Sequence, residues 1–203
     1  MKSSKRSLED LTVFVDRFVP TEIDDDAAVR ALRQGLTAAS AGTYGVGAVI
    51  MDSAGRVVCE GGNGVHLNGF HSDLHAEMVA LNEFEAKRSP GDQSASSHTL
   101  VSTLEPCPMC MTRLIFSGLG RIRYLCPDNI GGMVQRKHQL PPVFLELTEK
   151  QGQNWGEARC SAPLRQVAFD VWNTSQELLD RKVVERSSTM GGEAAGASES
   201  GAE

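Results

Sequence analysis

The sequence predicts an α/β layered domain, and three observations carry that expectation. Hydrophobic periodicity switches repeatedly between helical and strand spacing, in the order helix, hairpin, helix, strand, helix, strand, strand, helix. Two strand-to-helix units point their helix starts toward one edge of the sheet, where open α/β sheets place ligands. His75-Ala76-Glu77 and Pro106-Cys107-Pro108-Met109-Cys110 fall at those two helix starts. A chain of 203 residues suits one domain with appended ends. The expected division is an extension over 1–20, the domain over 21–186 and a tail over 187–203.

Residues Asp24-Asp25-Asp26, followed by Val29, Leu32, Leu36 and Ala39, read as an amphipathic helix with acidic residues at its positive end. Gly42 and Gly45 stop it. Val46 to Met51 is a short apolar strand, Asp52 to Gly55 is turn chemistry, and Arg56 to Glu60 returns as a hairpin. Leu74, Met78, Leu81 and Phe84 predict a second helix, with His75 and Glu77 at its start. Lys87 to His98 is a polar loop. Thr99 to Leu104 is a strand feeding into Pro106-Cys107, and Pro108 opens a third helix that ends at Gly118. Arg121 to Cys126 is another strand. Val143 to Leu147, after Pro141-Pro142, is the expected fifth. A long helix follows Ser161 and Pro163 to about Arg181. Phe14 and Phe18 are assigned to the core, and Trp155, Phe169 and Trp172 to packing of the last helix, with a substrate lid as the alternative. Ser187 to Glu203 is Gly, Ala, Ser and Glu with one Thr and one Met, a disordered tail by composition, and the first ten residues are expected to fray.

Cys107 and Cys110, three apart at a helix start, share a face and reach one ion as thiolates. Helix end and metal both favour the charged sulfur. His75 supplies a third ligand from the neighbouring helix. A zinc ion held by three protein ligands keeps a place for water and lowers its pKa toward ~7. Glu77, two residues from His75, approaches from another direction and suits proton transfer better than ligation.

These residues, with Gly62-Asn63-Gly64-Val65 and Thr103 to Cys110, resemble the cytidine deaminase-like superfamily over roughly 29–130, in particular its guanine deaminase, tRNA-adenosine deaminase and cytosine deaminase branches. The resemblance implies a three-layer fold whose five-stranded mixed sheet carries helices on both faces. It implies a zinc hydrolase acting on a cyclic amidine C–N bond, with Glu77 catalytic and His75, Cys107 and Cys110 holding Zn2+. Asn63 and the Ala76 backbone are implied as contacts to the substrate base. The lead-in His71-Ser72-Asp73-Leu74 departs from the purine-acting branches and looks more like fungal-type cytosine deaminases. Thr112-Arg113 replaces a small pair near the dimer contacts of relatives, which are commonly homodimers.

A net charge of −6 argues against reliance on nucleic-acid phosphates. The expected substrate is a free nucleobase or nucleoside, guanine-like or cytosine-like, and nucleic acid is not the expected partner. Alternatives are deamination of adenosine in tRNA and a catalytically silent zinc scaffold. In a purely structural site His66, His71, Cys59 or Cys126 would supply a fourth ligand. Asn63 has a second reading as a left-handed turn residue. Asp128, just past a strand, reads either as a contact to a substrate amine or as a turn starter. Five cysteines, an odd number, do not form a disulfide framework. No apolar run approaches the roughly twenty residues needed to cross a bilayer, and the charged start lacks the apolar stretch of a signal peptide. A reduced cytoplasm is the expected compartment.

Overall fold

A computed structural model describes residues 6–89 and 92–193. Its five strands are β1 (Gly47–Met51), β2 (Val57–Gly62), β3 (Thr99–Leu104), β4 (Arg121–Cys126) and β5 (Asn154–Glu157). They form one sheet in the order β2-β1-β3-β4-β5. β1 is antiparallel to β2 and β3, whereas β3, β4 and β5 are parallel. Every residue of β3 is buried, as expected for a central strand covered on both faces.

Two consecutive glycines show the layering. Successive strand residues face opposite sides of a sheet. A Cβ on Gly61 would lie 2.7 Å from the Ala80 nitrogen of α3 (Ala76–Ala86). A Cβ on Gly62 would lie 3.0 Å from the Gln34 oxygen of α2 (Asp25–Ser40). The two helices therefore press on opposite faces, and α3 comes close enough at Gly61 to need glycine, while α2 leaves a tight fit at Gly62. α6 (Ala162–Glu193) packs beside α2 and against β3 and β4. α4 (Pro108–Ser117) packs beside α3. This is the three-layer arrangement that the resemblance implies.

The expected strand over Val143 to Leu147 is a helix instead, α5 (Pro142–Lys150). Pro142 at its first turn is compatible with a helix start. Phe144 and Leu147, spaced for one helical face, pack on a second apolar cluster of Met111, Ile115, Tyr124, Met133, Val134 and Leu140. The fifth strand is β5, whose Ile122↔Trp155 register with β4 supplies the order that its own composition, Asn-Trp-Gly-Glu, does not. Trp155 accordingly sits on a strand and not under the last helix, and Phe169 is 49% exposed on α6. Phe14, Phe18 and Trp172 pack against the core as expected.

The amino-terminal end is more ordered than fraying would allow. α1 (Leu8–Asp16) starts with a capping box in which Ser7 and Asp10 each accept the other's backbone N–H. Its Leu11 and Val15 are fully buried. At the other end α6 continues to Glu193, so residues 187–193 are helical where a disordered tail was expected. Residues 1–5 and 194–203, parts of the expected frayed start and tail, lie outside the described residues, as do Pro90 and Gly91 of the polar loop.

A buried carboxylate locks α2 to the segment entering α6. Asp25 is 0% exposed and accepts from Thr21 N, Glu22 N, Ser161 N and Ser161 Oγ. Desolvation raises its pKa, but the hydrogen bonds from Ser161, Thr21 and Glu22 outweigh it and bring the group down to about 2.

Candidate metal centre and active-site pocket

β3 ends in the segment that carries Pro106 and Cys107, and Cys107 is the residue that caps α4. Pro108 follows as the first helical residue, with its φ preset for the helix. Cys110 lies within the first turn. His75 occupies the equivalent capping position of α3. Both caps have extended backbones, with ψ of 152° at His75 and 171° at Cys107.

The capping positions bring three soft donors together. His75 Nδ1 lies 3.7 Å from Cys107 Sγ and 3.6 Å from Cys110 Sγ. All three donor atoms lie within 4.8 Å of one another. Zinc–sulfur and zinc–nitrogen bonds set tetrahedrally place S and N about 3.6 Å apart, so these residues fit a zinc ion. Among the described residues, His66, His71, Cys59 and Cys126 do not join the group, which leaves the four-ligand structural site without its fourth ligand. The sulfurs divide their charge: a hydrogen bond from Cys110 carries the Cys107 thiol down to about 4, against desolvation and with further help from His75. The same bond raises Cys110, with burial and Glu77 adding to it.

Glu77, on the first turn of α3, is 3% exposed. Its Oε1 accepts from Ser102 Oγ of β3 at 3.2 Å, and its Oε2 lies 3.6 Å from Cys110 Sγ. Desolvation raises its pKa. The carboxylate thus stands beside the donor triad and outside it.

A cavity of about 250 Å³ opens over this centre, and His75, Glu77 and Cys107 line it. Asn63 lines it too, at 3% exposure. Its Oδ1 accepts from Thr43 Oγ1 at 2.8 Å and from Val65 N at 3.1 Å, which turns the amide NH2 away from those partners. The left-handed turn residue of this region is Asn68, with φ of 55°, and not Asn63. Asp128 also lines the cavity, yet its Oδ1 accepts from Ile130 N and Gly131 N, so the turn-starting reading holds for that oxygen. Ala76 is fully buried at the first helical position, where a backbone N–H has no intrahelical partner, but it is not among the lining residues.

Sequence reasoning passed over Tyr44, Gln176 and Glu105 as walls of the cavity, and had Trp172 as helix packing with a substrate lid as the alternative. Tyr44 and Trp172 stand with ring centroids 5.6 Å apart, and Gln176 lies one helical turn beyond Trp172. Ser175 holds this part of α6 in place by accepting from Gly45 N at 2.8 Å. Glu105 lines the cavity as well. It lay inside the quoted Thr103 to Cys110 stretch, where only its burial distinguishes it from an ordinary strand-end carboxylate.

Residues 22–126 match the profile of the cytidine and deoxycytidylate deaminase zinc-binding region. A tRNA-specific adenosine deaminase of Rickettsia bellii is 33% identical over 106 residues, covering 52% of this chain and 71% of its own length. The tRNA(Ile)-lysidine synthase of Deinococcus deserti is 36% identical over 107 residues, which are 52% of this chain and 19% of that protein. This chain therefore spans about a fifth of the length of that longer relative. Among solved structures, the guanine deaminase from Nitrosomonas europaea superposes with a TM-score of 0.58 at 19% identity, covering 87% of this chain and 98% of that one. That likeness establishes a common fold. Asp128, Trp172 and Gln176 all lie beyond residues 22–126, which match the family profile.

Proposed function

We propose that this chain, which belongs to the cytidine and deoxycytidylate deaminase zinc-binding family, hydrolyses the exocyclic amine of a free nucleobase or nucleoside, guanine-like or cytosine-like, and releases ammonia. One observation carries the choice of substrate. Among its described lining residues the cavity has the carboxylates Glu77, Glu105 and Asp128 and neither Lys nor Arg, and with Glu105 hydrogen-bonded to its own loop, Glu77 and Asp128 are the two left to meet a substrate. Such a wall suits a heterocycle rich in N–H groups and disfavours phosphates, which proteins hold with cationic side chains. The aromatic pair Tyr44 and Trp172 gives a small ring a flat apolar surface.

His75, Cys107 and Cys110 would hold the zinc ion, which when bound supplies Lewis acidity that makes water nucleophilic at neutral pH. Glu77 takes the proton from the attacking water and passes it to the ring nitrogen beside the reacting carbon. It then carries the second proton of that oxygen to the departing amine, the C–N bond breaks as the C–O bond becomes a carbonyl, and ammonia leaves. Ser102 steadies one Glu77 oxygen during these transfers. The free amide NH2 of Asn63 donates to an acceptor on the base. Asp128, from the wall of the cavity, completes the contacts, whereas Ala76 does not line it.

The tRNA-specific relatives favour a second reading, deamination of adenosine within tRNA. A panel of guanine, cytosine, adenine, their nucleosides, aminated triazines and an anticodon stem-loop, followed by ammonia release, separates the two. Activity confined to the RNA overturns the first reading. One zinc per chain with no ammonia from any compound would make the protein a zinc scaffold. We place the protein in the cytoplasm as a homodimer; five free cysteines suit a reducing compartment, and among the described residues no helix is long and apolar enough to cross a membrane.

A further inference from the structure

Glu105 is a carboxylate at 2% exposure, and among the described residues it has no hydrogen bond or ion pair with Lys or Arg. Its charge is held by N–H donors from one loop. Oε2 accepts from Asp128 N at 3.1 Å and from Gln135 Nε2 at 2.9 Å, and Oε1 accepts from Gln135 N at 2.8 Å. A carboxylate has about four acceptor positions, so this loop takes most of them. The Glu105 backbone N–H donates to Cys126 O at 2.8 Å, and Pro106 O accepts from Met133 N at 2.9 Å. The residues just ahead of Cys107 are thereby tied along their length to the stretch 126–135. Gly132 packs flat on the carboxylate: a Cβ there would lie 2.5 Å from Glu105 Cδ and 2.6 Å from Asp128 O. A glycine backbone is what lets the loop come this near.

We propose that Glu105 is a positioning residue for substrate binding: it clamps the loop 127–135 and so sets where Asp128 stands in the wall of the cavity. This rests on the cavity being the substrate site. Glu105 acts through the loop; Glu77 alone moves protons. The two acids lie in one cavity with separate tasks, because Glu105 spends its lone pairs on the loop whereas Glu77 faces the donor triad.

Glu105→Gln keeps the size of the side chain but turns an acceptor into an NH2 that opposes the loop's own N–H donors. Gly132→Ala attacks the same contact from the loop side without altering the carboxylate. Each full-length variant, loaded with zinc, is tested in two ways. The first is amide hydrogen exchange at Asp128 and Gln135, which needs no substrate. Both amides exchange on the order of tenfold faster in each variant, with zinc content and the exchange of β3 unchanged. The second is steady-state kinetics on the heterocycle that the wild-type protein deaminates best. KM rises on the order of tenfold in each variant, kcat moves far less, and the double variant is little worse than either single one. Unchanged exchange overturns the clamp. A fall in kcat at constant KM overturns the positioning role and makes Glu105 part of the chemistry. If the wild-type protein deaminates no heterocycle, the functional reading has failed, and the exchange measurement alone still judges the clamp.

Discussion

Ser102 Oγ donates to Glu77 Oε1 across 3.2 Å, joining the middle of β3 to the first turn of α3. The carboxylate is consequently fixed beside the metal ligands by a strand that both layers of helices cover. Glu77→Gln should retain one zinc per chain and lose about 10²–10⁴ in kcat, the usual worth of a positioned proton carrier. Metal analysis together with ammonia release checks both halves, and full activity would remove Glu77 from the proton path.

His75 and Cys107 cap different helices, so the metal staples α3 to α4. His75→Ala and Cys107→Ala should each abolish stoichiometric zinc and lower the melting temperature, because ligand binding free energy is also folding free energy. Chelation of the wild-type protein should lower its melting temperature in the same way. A variant that kept zinc would disqualify that residue as a ligand.

Asn63→Asp tests the direction of an amide. The Oδ1 position that receives Thr43 and Val65 survives, while the NH2 offered to the cavity is replaced by an oxygen. KM should rise by on the order of tenfold or more, the cost of leaving a buried polar group of the ligand unpaired. Circular dichroism and zinc content should not change. An unaltered KM would return Asn63 to a purely internal role.

Asp25 predicts an acid limb. Its folded pKa of about 2 lies below the ordinary value of 3.8, so its contribution is fully present above pH ~4 and is lost as pH falls from there through ~2. The shift corresponds to about 2 kcal/mol. Asp25→Asn should lose about that much at pH 7, and urea midpoints of variant and wild type should converge near pH ~2. Parallel curves down to that pH would show that the hydrogen bonds to Ser161, Thr21 and Glu22 carry no net charge effect.

Leu11 makes α1 part of the core. Leu11→Ala should cost about 2–5 kcal/mol in equilibrium unfolding, the range for a fully buried leucine. A loss under about 0.5 kcal/mol, typical of surface positions, would restore the frayed start that composition suggested.

The legible parts of this chain were those in which one residue type does one thing. Val46 to Met51 announces a strand because its residues are apolar on both faces, and Pro108 announces a helix start because its φ is preset. The ligand triad was legible for the same reason: thiolates and imidazole at helix starts have few other uses at that spacing. What escaped was decided by distant partners. Val143 to Leu147 has strand-like composition, yet Phe144 and Leu147 find their cluster only as a helix. β5 has nearly no apolar residues and exists because β4 offers it a parallel edge. Ser7 and Asp10 form a legible capping pair, but two charged neighbours at the chain start hid it. Tyr44 and Gln176 meet in the cavity from segments more than a hundred residues apart, and no local pattern marks such a meeting, whereas Trp172 was legible as a lid only by its aromatic ring.

The walls of the cavity are drawn from separable stretches of chain. The zinc donors and Glu77 sit on α3 and α4, within residues that match the family profile, while Trp172 and Gln176 sit on α6, beyond it. The turn of α6 around residues 172–176 thus closes one side of the cavity from outside the family-matched stretch, a wall that can change while the donor triad and Glu77 keep their places.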